Sequence, residues 1–316
     1  MFSLYKVIEL MKNILVIKNL SKQFGSKYAL NNISISLTKG KIYGFVGSNG
    51  AGKTTLLKII TGLAYPTSGT LEMLGKSQER GLKFVRRYIG STIEGPVYYP
   101  NYSVTDNLRL QQILLKGKYN REEAEKVLNL VGLDNKKNLK AHALSTGMKQ
   151  KLAIASCLLG QPEFLLLDEP VNGLDPQGMA NFRELILKLN KEKKITILMS
   201  SHILSELYML ASDFIFIDRG KILDVISAQE LENRLQKHIR IKMQNMPVGL
   251  SVIEKVLKIN DYKILNDCIH IYNRNNNLDF IAETLHKNNI IVTHISLCEE
   301  TLEEYYFSLI GGVKHG

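Results

Sequence analysis

The octapeptide Gly47-Ser48-Asn49-Gly50-Ala51-Gly52-Lys53-Thr54 constrains this chain more than any other stretch. It satisfies G-x-x-x-x-G-K-[ST] and lies between an apolar run, 42–46, and a segment with apolar residues at helical spacing, 55–60. The pattern predicts a buried strand feeding a helix N-terminus, the context in which this motif cradles phosphates. Glycines let backbone N–H groups close around phosphate oxygens, and the helix dipole adds partial positive charge. Lys53 would reach the β and γ phosphates, and the Thr54 hydroxyl would ligate Mg²⁺. A nucleoside triphosphate is therefore expected at 47–55, with Thr55 completing the set.

A second constellation narrows the chemistry. Phe164-Leu165-Leu166-Leu167-Asp168-Glu169-Pro170 is an apolar run ending in two carboxylates. Such a run reads as a central parallel strand buried on both faces, with Asp168 emerging beside the phosphate loop to hold Mg²⁺. Glu169, one residue further out, can orient and deprotonate an attacking water, which is general-base work.

Three further segments carry a family resemblance. Leu144-Ser145-Thr146-Gly147-Met148-Lys149-Gln150 resembles the ABC signature, usually L-S-G-G-Q, with Thr146 and Met148 departing from it. It opens a helix expected over 147–160, with Ser145 as N-cap. Asn172-Gly173-Leu174-Asp175 resembles the D-loop, and Ser200-Ser201-His202, after the apolar run 195–199, resembles the H-loop. Over residues 13 to 225 the chain resembles the ATP-binding subunit of an ABC transporter.

That resemblance implies a RecA-like P-loop core, of α/β class, with antiparallel β and helical subdomains. It implies two ATP-binding domains facing head to tail, a homodimer here, with Lys53 of one and Ser145 and Gly147 of the other enclosing ATP. His202 would contact the γ-phosphate beside Glu169, and Asp175 would communicate across the dimer. Phe24 matches the aromatic that stacks on adenine, although aromatics also plug strand ends. The groove beside the helical part would receive an integral membrane permease subunit, with Tyr98, Tyr99 and Tyr102 lining it.

One departure narrows the resemblance. Where the family usually has a glutamine, Ser91-Thr92-Ile93-Glu94-Gly95-Pro96 carries Glu94, which only accepts hydrogen bonds and adds charge beside Mg²⁺. Glu94, the following proline and tyrosines, and the Gly-Met-Lys-Gln ending of the signature resemble the bacitracin-resistance and lantibiotic-immunity branch. The implied cargo is an amphipathic antimicrobial peptide moved out of the membrane; a neutral exchange in a general exporter of drug, lipid or ion is the alternative.

The remaining sequence fits a peripheral protein on the cytoplasmic face of the cell membrane. No run of about 18 apolar residues is present, so a membrane pathway must come from other subunits. Residues 1–12 lack a signal-peptide pattern, and Met11 is a possible start. Cys157, Cys268 and Cys298 are odd in number and far apart, which suits buried thiols better than a metal site. Residues 1–230 carry 31 Lys and Arg against 20 Asp and Glu, a net +11, whereas 231–316 carry 10 against 10. The excess suits a nucleotide and an anionic leaflet. Scattered lysines without a nucleic-acid motif argue against nucleic acid as a partner.

Strands are expected at 14–17 and 33–37 with a polar turn between them, and helices over 104–160, with Gly132 ending one. Beyond residue 230 the pattern changes to strand 238–243, helix 252–259, strands 262–265 and 269–272, helix 280–286 and strand 290–297. The β-α-β-β-α-β order predicts a small ferredoxin-like accessory domain over 231–310, closed by a helix at 302–309. His270, His286 and His294 are too isolated for a metal site, and 273–277 reads as a polar loop. A second function class, a soluble ABC ATPase acting on translation, DNA or iron-sulfur assembly, is disfavoured by the single P-loop and the short P-loop-to-signature distance.

Overall fold

The computed structural model describes residues 12–235, 237–265, 267–272 and 277–311. The chain divides into two compact units between Ala228 and Gln229.

The first unit opens with β1 (Asn13–Phe24) and β2 (Lys27–Thr38), followed by β3 (Ile42–Val46), α1 (Lys53–Thr61), β4 (Ser68–Met73), α2 (Glu79–Val85) and β5 (Ile89–Thr92). Helices α3 (Val104–Lys116), α4 (Arg121–Val131) and α5 (Thr146–Leu158) come next. Then β6 (Phe164–Leu167), α6 (Pro176–Lys193), β7 (Thr196–Ser200), α7 (Leu204–Leu210), β8 (Asp213–Asp218) and β9 (Lys221–Ser227) complete it.

Its main sheet has the order β5-β6-β7-β3-β8-β9. The first five strands run parallel, and β9 returns antiparallel on β8. Strands β3, β6 and β7 are buried at every position, because a parallel sheet is covered on both faces and so demands unbroken apolar runs. Helix α1 lays Leu56, Leu57, Ile59 and Ile60 into the same core as Phe45, Phe164, Leu166, Leu198 and Ile215. A smaller antiparallel sheet, β2-β1-β4, shares that core.

Two expectations about this unit need correction. The turn between 17 and 33 is instead strand on both sides of Gly25-Ser26, and β1 and β2 are twelve residues each. Alternating burial along β2 shows why: one face is solvated, so its polar residues belong to the strand. Helix α5 starts at Thr146 and ends at Leu158, one and two residues earlier than expected. The helical segment otherwise follows the sequence, with Ser103, Asn120 and Ser145 as N-caps and Gly132 ending α4 in left-handed conformation. Gly90 has a steric role, since a Cβ there would stand 2.6 Å from Leu165 and 2.7 Å from Cys157 of α5. Burial pushes the Cys157 thiol up to about 12, so it is inert at neutral pH.

Helix α8 (Ala228–Arg234) runs across the division. The second unit then holds β10 (Lys237–Met243), α9 (Met246–Lys255), β11 (Tyr262–Leu265), β12 (Cys268–Ile271), α10 (Leu278–Lys287), β13 (Val292–Glu299) and α11 (Leu302–Gly311). Its sheet has the order β11-β12-β10-β13 and is antiparallel throughout, so each β-α-β crossing skips one strand, as the ferredoxin-like pattern requires. Ile239, Ile241, Met243, Ile269 and Ile271 pack against Val252, Ile253, Ile281 and Leu285 of the two helices. Helix α9 begins six residues before its expected start of 252. Asn245 caps it by accepting from Val248 N, and Pro247 sits in the first turn. Strand β13 likewise lies two residues later than expected. Of the expected polar loop, 273–276 lie outside the described residues, and Asn277 caps α10.

Candidate functional site

Sheet order assembles the site. Strands β6, β7 and β3 are neighbours, so the segments that leave their C-terminal ends lie side by side. These are the phosphate loop after β3, Asp168 and Glu169 after β6, and Ser201 and His202 after β7. In open α/β sheets this carboxyl end is where ligands bind.

The loop's backbone explains its glycines. Gly50 and Gly52 have φ of 80° and 115°, which disfavour other residues, and a Cβ at Gly47 would meet the Ile217 carbonyl at 2.6 Å. Lys53 is buried, and its ammonium donates to the carbonyls of Gly47 and Ser48 at 2.6 and 3.2 Å, spanning the loop from below. Burial lowers its pKa from the ordinary lysine value, and the charges of Glu169 and Asp168 oppose that shift.

Thr54, at the second position of α1, donates its hydroxyl to Asp168 Oδ2 at 2.8 Å. Ser200, the last residue of β7, donates to the other Asp168 oxygen at 2.7 Å and accepts from the Glu169 backbone N–H at 3.0 Å. One buried hydroxyl therefore fixes both carboxylate residues. Glu169 has a φ of 51°, and its Oε2 accepts from His202 N at 3.1 Å and lies 2.5 Å from His202 Nδ1. Glu169 and His202, expected together from sequence, are thus in contact. Thr54 and Asp168 offer the hard oxygen ligands that suit Mg²⁺.

Glu94 is placed differently from Thr54 and Asp168. It has a φ of 61°, and its carboxylate pairs with Lys58 at 2.6 Å. Lys58 is four residues on from Thr54, so the two share one face of α1. The sequence reading missed both Lys58 and Ser200. Ser200 stood inside the recognised Ser-Ser-His segment, but only the sheet order, which sets β7 beside β6, brings it to the two carboxylates.

Phe24 is 56% exposed at the end of β1, with the Lys22 ammonium 4.8 Å from its ring centre. It fills no core, which removes the strand-end plug. Ser145, Gly147 and Asp175 gather elsewhere, around a cavity of about 410 Å³ that no residue of the phosphate loop lines. There Ser145 caps α5 by accepting from Met148 N, and Asp175 caps α6 by accepting from Gly178 N. Tyr99 and Tyr102 pack edge to face at 5.8 Å and are each half exposed, whereas Tyr98 is less exposed. Asn107 of α3 holds their loop: its side chain accepts from Tyr99 N at 2.7 Å and donates to the carbonyls of Tyr99 and Ser103.

With this geometry, the chain belongs to the ATP-binding subunits of ABC transporters, and it is an ATPase. The ABC transporter family model matches residues 30–172. The bacitracin transport ATP-binding protein BcrA of Bacillus licheniformis is 37% identical over 96% of this chain and 99% of its own length, and that of Enterococcus faecalis 35% over 96% and 98%. The lantibiotic transport ATP-binding protein SrtF of Streptococcus pyogenes is 43% identical over 66% of this chain and 89% of its own. The ATP-binding cassette MJ0796, solved as a dimer bound to ADP and Pi, superposes with a TM-score of 0.61 at 26% identity, covering 68% of this chain and 98% of that one. No helix among the described residues is long and apolar enough to cross a membrane.

Proposed function

We propose that this subunit energises export of an antimicrobial peptide, bacitracin-like or lantibiotic, through separate membrane permease subunits on whose cytoplasmic side it sits. The observation that carries the reading is similarity to two bacitracin transport proteins over 96% of the chain, C-terminal unit included. Residues 13–225 form the ATP-binding domain and 231–310 an accessory domain in this reading.

Within the site, residues 47–55 cradle the phosphates and Phe24 stacks on the base. Thr54 and Asp168 would hold Mg²⁺, and Glu94, paired with Lys58 one turn further along α1, would add a further oxygen ligand. The metal, when bound, neutralises phosphate charge and polarises the bond to be broken. Glu169 accepts a proton from the attacking water. His202 keeps that carboxylate oriented through two contacts to Oε2, and Ser200 keeps its backbone in place. Because Ser145, Gly147 and Asp175 line a separate cavity, ATP is enclosed only when a second copy brings those residues to the phosphate loop. MJ0796, a dimer with ADP and Pi, supports that arrangement.

The test separates binding from chemistry. Glu169→Gln is expected to bind ATP and form a stable dimer while turnover falls on the order of 10² to 10⁴, the usual contribution of a positioned base. Wild-type turnover in that variant removes Glu169 from the base role. Bacitracin or a lantibiotic is expected to stimulate hydrolysis in the co-purified permease complex; a rate unmoved by any peptide argues for other cargo.

A further inference from the structure

Strand β13 forms one edge of the C-terminal sheet, and no strand of the described residues pairs with its outer side. The opposite edge, β11, is four residues long and includes Lys263. Natural sheets blunt their edges with short strands, charges, prolines or bulges, because a bare edge offers a row of free N–H and C=O groups. β13 has such guards only at its ends. Its register against β10 shifts between Lys242 and Met243, leaving Thr293 as an extra residue, and Glu299 stands at the other end. Between them, His294-Ile295-Ser296-Leu297-Cys298 contains no Lys, Arg, Asp, Glu or Pro. Leu297 stands on this stretch 65% exposed.

We propose that this edge pairs with the same edge of a second copy of the chain, giving one continuous eight-stranded sheet. A two-fold axis perpendicular to the sheet pairs a strand antiparallel with itself and closes the assembly at two copies. Such an axis keeps the buried faces of both sheets on the same side, so each residue meets one of its own face. Centred on Ser296, it sets Leu297 of each copy opposite Ile295 of the other, and His294 opposite Cys298. Apolar meets apolar on the core side, and no like charges face each other. The occupant is a second copy because the edge is complementary to itself under the same kind of operator that a head-to-tail ATP pair uses. This contact goes beyond the ATP-dependent pair, since it needs no nucleotide. Five residues a side make a small, reversible interface.

Sedimentation equilibrium of the full chain without nucleotide, over a concentration series, tests the proposal. The wild type is expected to associate reversibly as a dimer. Leu297→Lys and Leu297→Glu, changes at an exposed position that spare the core, each place like charges diagonally across the axis and are expected to weaken association at least tenfold. An equal mixture of the two is expected to restore it, an outcome that misfolding cannot produce. A wild type that stays monomeric leaves the edge to a strand of another protein and overturns the proposal, as does a variant that associates like the wild type or a mixture that stays monomeric. ATP-induced pairing of Glu169→Gln is expected to survive addition of Leu297→Lys, so failure of the ATP pair and failure of the edge pair are read separately.

Discussion

Ser200 is the residue on which both carboxylates depend. Its hydroxyl is buried, donates to Asp168 and accepts from the backbone of Glu169, a residue held in left-handed conformation. Removing it strands a buried carboxylate oxygen and a backbone donor, which costs about 1–3 kcal/mol. Ser200→Ala is therefore expected to lower the thermal midpoint and cut turnover while ATP still binds; unchanged turnover means that Glu169 is held by His202 alone. Lys53 sets a pH dependence. Burial lowers its pKa in the free protein, whereas a bound triphosphate favours the ammonium and raises it again. ATP affinity is thus expected to fall as pH rises through a value below the ordinary 10.5, with proton uptake on binding. Calorimetry in buffers of different ionisation enthalpy measures that uptake. The Gly-Lys-Thr loop and the Asp-Glu strand end were legible in the sequence because each is local. The Ser200 and Lys58 contacts were not, since both join segments that only the folded sheet and its flanking loops bring together.

Among the elements, the loop that presents Tyr99 and Tyr102 has no regular structure of its own. Asn107 from α3 supplies its hydrogen bonds, pairing the Tyr99 N–H and the Tyr99 and Ser103 carbonyls beside its own buried side chain. Asn107→Leu is expected to destabilise the protein by about 1–3 kcal/mol and to weaken membrane recruitment with both tyrosines intact. Tyr99→Ala with Tyr102→Ala is expected to weaken recruitment without loss of stability, measured by flotation with permease-containing membranes. Recruitment untouched by either change removes this loop from the docking surface. Apolar runs and periodicity located β3, α1, β6, β7, α5 and the elements of the second unit, with errors at their boundaries, whereas β4, β5, α6, β8 and β9 drew no expectation. The start of α9 was missed because Asn245 and Pro247 act as punctuation that periodicity does not register. The β1–β2 hairpin was cut short because solvated positions of a one-sided strand look like turn.

At the scale of the whole molecule, residues 1–230 carry the whole positive excess and 231–316 are neutral, and the two compact units part between Ala228 and Gln229. A chain ending at residue 228 is expected to fold and bind ATP, because the phosphate loop, Asp168, Glu169 and His202 all lie in the first unit; a truncated chain that cannot bind nucleotide contradicts separable domains. The cargo is what sequence and fold specify least, for in the proposed assembly it would meet the permease subunits rather than this one. Growth inhibition by bacitracin and a panel of lantibiotics, in a strain lacking this gene and complemented with wild type or Glu169→Gln, tests the central claim most directly. Resistance restored by the wild type and not by Glu169→Gln is the expected result. Sensitivity unchanged by loss of the gene, across the whole panel, contradicts ATP-driven peptide export.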